Sequence, residues 1–243
     1  MDEIVLRGKR ALVTGAAARV GRAIAVELAR AGMNLAVHTR NTPADEALEE
    51  IRALGVSAVL VRGDQAVDAA RIVGDAATAL GGLDLLVCSA AAFGKAPAQE
   101  IDRAAFDAMI ASNLTGPFFL MQAALRHLRA ARGSVVNLVD LCGTTQVWKG
   151  YAHYAAAKAG LATLTRLLAL EWAPEVRVNA VAPGVALYPD SAPEDERERT
   201  SRRIPAGQPG NPEDIARTVR FLATQPFITG QIVTVDGGRS VNP

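Results

Sequence analysis

Tyr154 and Lys158 stand four residues apart in Tyr154-Ala155-Ala156-Ala157-Lys158, with Asp140 upstream. On a helix that spacing puts phenol and ammonium on one face, about one turn apart. A free phenol titrates near ~10 and relays protons poorly at neutral pH. A fixed ammonium beside it favours the phenolate, so Lys158 is expected to lower the pKa of Tyr154. The pair reads as a general acid/base unit. Asp140 adds a carboxylate, which accepts hydrogen bonds when ionised and donates one only when protonated.

Positioning these groups requires a scaffold, and the chain has the material for one. Its 243 residues are half apolar, enough for one α/β domain with a large core. Apolar runs of strand length alternate with amphipathic helix-length stretches. Strands are expected at 10–14, 34–38, 58–61, 83–88, 134–140, 176–181 and 231–235. The alternation predicts a single Rossmann-type doubly wound parallel sheet of about seven strands, with helices on both faces. No apolar run approaches the ~20 residues of a membrane span, and residues 1–8 carry no signal-peptide core, so a cytoplasmic protein is expected. Net charge is +1 with no basic cluster, which argues against a nucleic-acid partner. Cys88 and Cys142 are the only cysteines and the three histidines are scattered, so no metal site is expected.

The first strand runs into Thr14-Gly15-Ala16-Ala17-Ala18-Arg19-Val20-Gly21, followed by an amphipathic segment. A strand, a glycine-containing turn and a helix N-terminus together make an anion site, commonly for a dinucleotide pyrophosphate. The two glycines are six apart, unlike the usual G-x-G-x-x-G spacing.

The turn and the Tyr-x-x-x-Lys motif, in this order, resemble the short-chain dehydrogenase/reductase family over essentially the whole chain. Asn113 in Ala111-Ser112-Asn113-Leu114 matches the family's catalytic Asn. Val178 to Gly184 is similar to the sixth strand and nicotinamide-side loop, with Pro183 and Gly184 against the cofactor. Val235-Asp236-Gly237-Gly238 is similar to the terminal strand and turn. The resemblance implies a nicotinamide cofactor held by Gly15, Arg19, Val20, Gly21, Asp64, Gln65, Ser89, Ala90, Tyr154 and Lys158. It also implies that Lys158 holds the nicotinamide ribose and that Asn113 anchors a water linking Lys158 to solvent.

At the end of the second strand, Val37-His38-Thr39-Arg40-Asn41 has no acid to bind a ribose 2′-hydroxyl. Arg40 can meet a 2′-phosphate bidentately, with Asn41 or Thr39 adding hydrogen bonds, so NADPH is favoured. The alternative for Arg40 is a surface arginine near Asp45 or Glu46. Asp64 matches the position that accepts from the adenine amino group, or else is a helix cap.

Most of the family carries Ser at the end of the fifth strand, donating to a substrate carbonyl; Asp140 stands there instead. An ionised carboxylate serves a carbonyl poorly and an N–H-rich substrate with a reducible C=N bond well. The chain here resembles the pteridine reductases, which share Asp at this position, an Arg after the first strand (Arg19) and a pterin-stacking aromatic after the fourth (Phe93). Phe93 is either that platform or a core Phe, and Arg19 either reaches cofactor and substrate or lies on the surface. Two departures stand out: one extra residue between Asp140 and Tyr154, and Ala91 in place of a polar group. Trp148 in that longer loop either closes over substrate or packs the loop.

The expectation is therefore an NADPH-dependent reductase of a dihydropterin or related pterin, with Tyr154 as proton donor assisted by Asp140. A carbonyl reductase of the 3-oxoacyl-thioester type is the alternative, and a non-catalytic NADPH-binding sensor a third. Residues 188–203, charged and irregular, are expected to form a substrate lid or a solvated loop. The helix from Tyr154 to Trp172 is apolar almost all round, which predicts a dimer or tetramer burying it together with the 102–128 stretch.

Overall fold

A computed structural model describes residues 4–188 and 193–242. Seven strands form one sheet: β1 (Arg10–Thr14), β2 (Asn34–Thr39), β3 (Ala58–Arg62), β4 (Leu85–Cys88), β5 (Ser134–Leu138), β6 (Arg177–Pro183) and β7 (Ile232–Val235). All pairings are parallel, in the order β3-β2-β1-β4-β5-β6-β7. Strand order reverses between β1 and β4, and ligands of such sheets bind in the crevice outside the carboxyl ends at that point.

The strands are near-continuous apolar runs because both faces are covered. On one face lie α1 (Arg19–Arg30), α2 (Asp45–Ala53) and, beyond an intervening stretch, α8 (Pro212–Thr224), packed through Ile24, Leu28, Leu48, Ile51, Val219 and Leu222. On the other lie α3 (Ala69–Leu80), α4 (Arg103–Ile110), α5 (Gly116–Ala131) and α6 (Ala152–Trp172), packed through Ile72, Leu120, Met121, Leu128, Leu161 and Trp172. Helix α7 (Glu194–Ser201) lies within the segment expected to be a lid.

Strand β5 stops two residues short of the expected end. Asp140 Oδ1 accepts from the Cys142 N–H at 2.8 Å, and the N–H groups of Thr144, Thr145 and Gln146 all turn onto the Leu141 carbonyl. An Asp that bonds its own backbone two residues on starts a turn in place of a ladder. Expected helix 102–128 is interrupted: α4 and α5 are joined by a π-helical turn, Ala111–Thr115, centred on Asn113. The stretch Arg103–Ala131 is long and apolar enough by composition to cross a membrane, contrary to the sequence expectation. Leu120, Met121, Ala124 and Leu128 on it are instead buried against the sheet.

Candidate active site

The groups of interest come from the carboxyl edge of the sheet, from α6 and from the π turn between α4 and α5. At the switch point the Thr14 hydroxyl accepts from both the Ser89 and Ala90 N–H groups at 3.0 Å, locking the ends of β1 and β4 together. Gly15 adopts φ +66°, and a Cβ there would lie 2.9 Å from the Ala90 Cα. A Cβ on Gly21 would lie within 2.7 Å of the Gly15 carbonyl carbon. The six-residue spacing thus lets the first turn of α1 fold back onto the β1 turn.

Helix α1 begins at Arg19 with no side-chain cap and no acid in its first turn. Its N-terminal N–H groups therefore suit an anion. Arg19 itself is exposed, at φ +53°, and its side chain lines a shallow depression with Arg22, Pro212 and Glu213. That placement is the surface alternative for Arg19; it does not meet Asp140 or Tyr154 here.

Arg40 and Asp64, expected to read opposite ends of the adenosine, pair with each other at 3.1 Å on the rim of β2 and β3. Arg40 is 67% exposed, and Glu46, one of its expected partners, pairs with Arg22 instead. Asp64 Oδ1 accepts from the Ala66 N–H; that bond, with help from Arg40, holds the carboxyl below its usual range despite partial burial. Asn41 is exposed beside them. Gln65 lies inward of them. It is 5% exposed, and its amide donates to the Ala90 carbonyl at 3.1 Å and the Ser112 carbonyl at 2.7 Å. These bonds tie the β4 loop to the π turn and leave its Oε1 without a partner.

Tyr154 and Lys158 share one face of α6, at 4% and 3% exposure. The Tyr154 hydroxyl donates to Asp140 Oδ2 at 2.8 Å. Lys158 Nζ donates to the Leu138 carbonyl at 2.7 Å and lies 5.8 Å from the centre of the Tyr154 ring. The expected lowering of the Tyr154 pKa is therefore corrected. Burial, and then the adjoining Asp140 carboxylate, push the phenol up instead. Burial likewise raises Asp140, against the Cys142 N–H, the Tyr154 bond and Lys158. Lys158 is pulled down to about 8 by burial, with Asp140 opposing. The three groups behave as one coupled unit in which Tyr154 keeps its proton and Asp140 is disposed to gain one.

Asn113 is fully buried in the π turn. Its amide donates to the Ala92 carbonyl at 3.0 Å and the Met109 carbonyl at 3.1 Å, and its Oδ1 has no partner. A buried acceptor left open suits a bridging water. Leu114 beside it presses onto α6 where only Gly160 leaves room: a Cβ there would lie 2.9 Å from Leu114 Cδ2. At the far side Pro183 ends β6, and its carbonyl accepts from the Leu141 N–H at 3.4 Å. A Cβ on Gly184 would come within 2.7 Å of Asp236.

Phe93 is not a core residue. It is 54% exposed, stacks on Tyr151 at 5.1 Å and meets the Tyr154 ring edge-on at 5.0 Å. Trp148 packs edge-on to Tyr151 at 5.9 Å. Tyr151 escaped the sequence reading, although an aromatic three residues before Tyr154 falls on the same helical face. Of the expected lid, residues 189–192 lie outside the described residues. The rest is helix α7, pinned by the Tyr188 hydroxyl to the Arg197 carbonyl and the Ser201 hydroxyl, both at 3.1 Å.

A parallel sheet with this crevice, turn and buried Tyr–Lys pair invites comparison with known proteins. A family model described as Enoyl-(Acyl carrier protein) reductase, of the short-chain dehydrogenase type, matches residues 15–240. The chain belongs to the short-chain dehydrogenase/reductase family. It is 40% identical to cis-4-hydroxycyclohexanecarboxylate dehydrogenase of Sinomonas cyclohexanicum, across 94% of this chain and 95% of that protein. It is 35% identical to the 3-oxoacyl-(acyl-carrier-protein) reductase FabG of Staphylococcus aureus, across 95% and 97%. A crystal structure of a dehydrogenase/reductase from Sinorhizobium meliloti 1021 has a TM-score of 0.90 at 36% identity, covering 96% of this chain and 95% of that one. This short-chain dehydrogenase/reductase is thus an oxidoreductase, and the family's nicotinamide cofactor fits the residues present: α1 has no side-chain cap, Asn113 keeps an open acceptor and Lys158 is a buried cation.

Proposed function

We propose that the protein is an NADPH-dependent reductase of the pteridine reductase type, acting on the C=N bond of a dihydropterin or a related planar heterocycle. The observation that carries this reading is the 2.8 Å bond from the Tyr154 hydroxyl to Asp140. A neutral Ser at that position would donate to a carbonyl oxygen. Ionised Asp140 has only acceptor lone pairs, one engaged by Tyr154 and one by Cys142, with others open to substrate N–H groups.

NADPH, when bound, supplies the hydride. The chain's residues do the rest. Arg40 is the cation available to a 2′-phosphate, the first turn of α1 to the pyrophosphate, and Ser89, Ala90, Pro183 and Gly184 border the crevice. Lys158 holds a positive charge beneath the site, and Asn113 anchors a water behind it. Tyr154 gives its proton to the substrate nitrogen. Asp140 orients the substrate; a proton that it takes up from solvent, which its burial-raised pKa favours, returns to Tyr154 after the transfer. The half-exposed Phe93 ring offers an aromatic face beside Tyr154.

Carbonyl reduction is the second reading, favoured by the names of the relatives above: a hydroxycyclohexanecarboxylate dehydrogenase and a 3-oxoacyl reductase. It requires Asp140 protonated, so that its hydroxyl takes the place of the family's Ser. The test is NADPH oxidation with dihydrobiopterin, dihydromonapterin, dihydrofolate and an acetoacetyl thioester. Turnover with the dihydropterins and not the thioester is expected. Turnover with the thioester alone would transfer the conclusion to the second reading.

A further inference from the structure

Arg239 follows β7, and its half-buried guanidinium lies near enough to Asp140 to feel its charge. Its backbone is fixed from both sides. The Asp236 carboxylate accepts from the Gly238 N–H at 2.9 Å and the Ser240 N–H at 2.6 Å, shaping the turn. The Arg239 carbonyl accepts from the Gln146 amide at 3.0 Å, and the Gln146 oxygen accepts from the Trp148 indole N–H at 3.2 Å. The guanidinium then lies over the Trp148 ring, 5.1 Å from its centre. Trp148 was expected either to cover the substrate or to pack its loop; it does the latter and makes a shelf for a cation.

That cation is half-buried and yet has no carboxylate of its own among the described residues. Arg10, Arg22 and Arg40 each find a carboxylate. Among the described residues, none lies within ion-pair distance of the Arg239 guanidinium. Arg203 repels it, while Tyr188, Asp140 and Asp236 favour its charge from farther off. Both carboxylates already serve other donors. Burial and Arg203 disfavour the charged guanidinium, and an anion bound there would relieve both effects. A planar fork held on an aromatic face is suited to bidentate recognition of a carboxylate.

We propose that Arg239, shelved on Trp148, is the substrate anchor: it binds a carboxylate carried by the substrate at a distance from the bond that is reduced. This rests on Asp140 and Tyr154 being the reacting end of the pocket. Arg239 then sets preference among substrates of the same ring shape, favouring one that carries a carboxylate, as dihydrofolate does, over neutral ones such as dihydrobiopterin.

Binding of benzoate and of its neutral counterpart benzamide, followed through Trp148 fluorescence on the whole protein, tests this without turnover. The other tryptophan, Trp172, is buried in the core, and a W148F control removes the reporter. Benzoate should give a saturable signal that benzamide at equal concentration does not. R239Q should weaken benzoate by about tenfold or more, as expected for loss of a charge-assisted contact. R239K should retain part of the affinity, because it keeps a point charge without the fork. Equal binding of the two probes, no benzoate binding, or wild-type affinity in R239Q would each overturn the anchor. Should R239Q fail to fold, the probe pair on wild type and R239K decide. Since no reduction is involved, loss of the pterin reading leaves this result standing, and loss of the anchor leaves the pterin assay unaffected.

Discussion

At the scale of single residues, Asp140 decides how the site works, because its oxygen already holds the Tyr154 proton. Tyr154→Phe keeps the ring against Phe93 and removes the acid; turnover should fall by about 10²–10⁴, the usual range for general acid–base catalysis. Lys158 remains in place in that variant, so cofactor titration should be unchanged. Asp140→Asn has a consequence for stability. Burial holds the Asp140 pKa above its ordinary value in the folded protein, so the native state binds the proton more tightly than the unfolded chain. Stability contributed by this group is present at low pH and is lost as pH rises from the unfolded value through the folded one. The Asn variant lacks that loss, and its melting temperature should exceed that of wild type at pH 7 by more than at pH 4; the reverse order would show the carboxylate to be net stabilising. Arg40 carries the cofactor preference. Arg40→Asp removes a cation and sets a second carboxylate beside Asp64, so NADPH affinity should drop about tenfold or more. A wild type that binds NADH as tightly as NADPH would remove Arg40 from that role.

At the scale of elements, the glycines separate position from composition. Gly21 faces the Gly15 carbonyl with no room for a Cβ, whereas Gly74, inside α3, has nothing within 4 Å of one. Gly21→Ala should therefore displace the first turn of α1 and abolish cofactor binding as read by calorimetry. Gly74→Ala should raise stability by about 0.5–1 kcal/mol in denaturant unfolding, the helical preference of Ala over Gly. The strands and the β1 turn were legible in the sequence because apolar runs of strand length and paired small residues are local signals. The π turn at Asn113 was not: it packs on α6, where Leu114 faces Gly160, a contact between residues far apart in the chain. The same holds for Gln65. Its type and place suggested a ligand contact, and nothing local showed that its amide would also join two carbonyls from other loops. The spacing of Tyr154 and Lys158 was legible, yet the direction of the Tyr154 shift was not. Spacing along a helix cannot show that Lys158 turns to the Leu138 carbonyl while Asp140 takes the phenol.

At the scale of the whole molecule, α6 presents Leu167 and Leu170 at 46% and 79% exposure, and α4 and α5 expose Phe106 and Phe119. Soluble monomers rarely carry such apolar faces uncovered. An assembly of two or four chains is expected, and light scattering at micromolar concentration should give a multiple of 25.5 kDa. A monodisperse single chain would contradict this and leave the site untouched. Asp140 is proposed to suit the whole site to C=N rather than carbonyl reduction. The ratio of kcat/KM for a dihydropterin over an acetoacetyl thioester, measured in wild type and in Asp140→Ser, addresses that most directly. The ratio should exceed one in wild type and fall by about tenfold or more in the variant, since Ser restores a neutral donor for a carbonyl. A wild type that prefers the thioester, or a ratio that Asp140→Ser leaves unchanged, would contradict it.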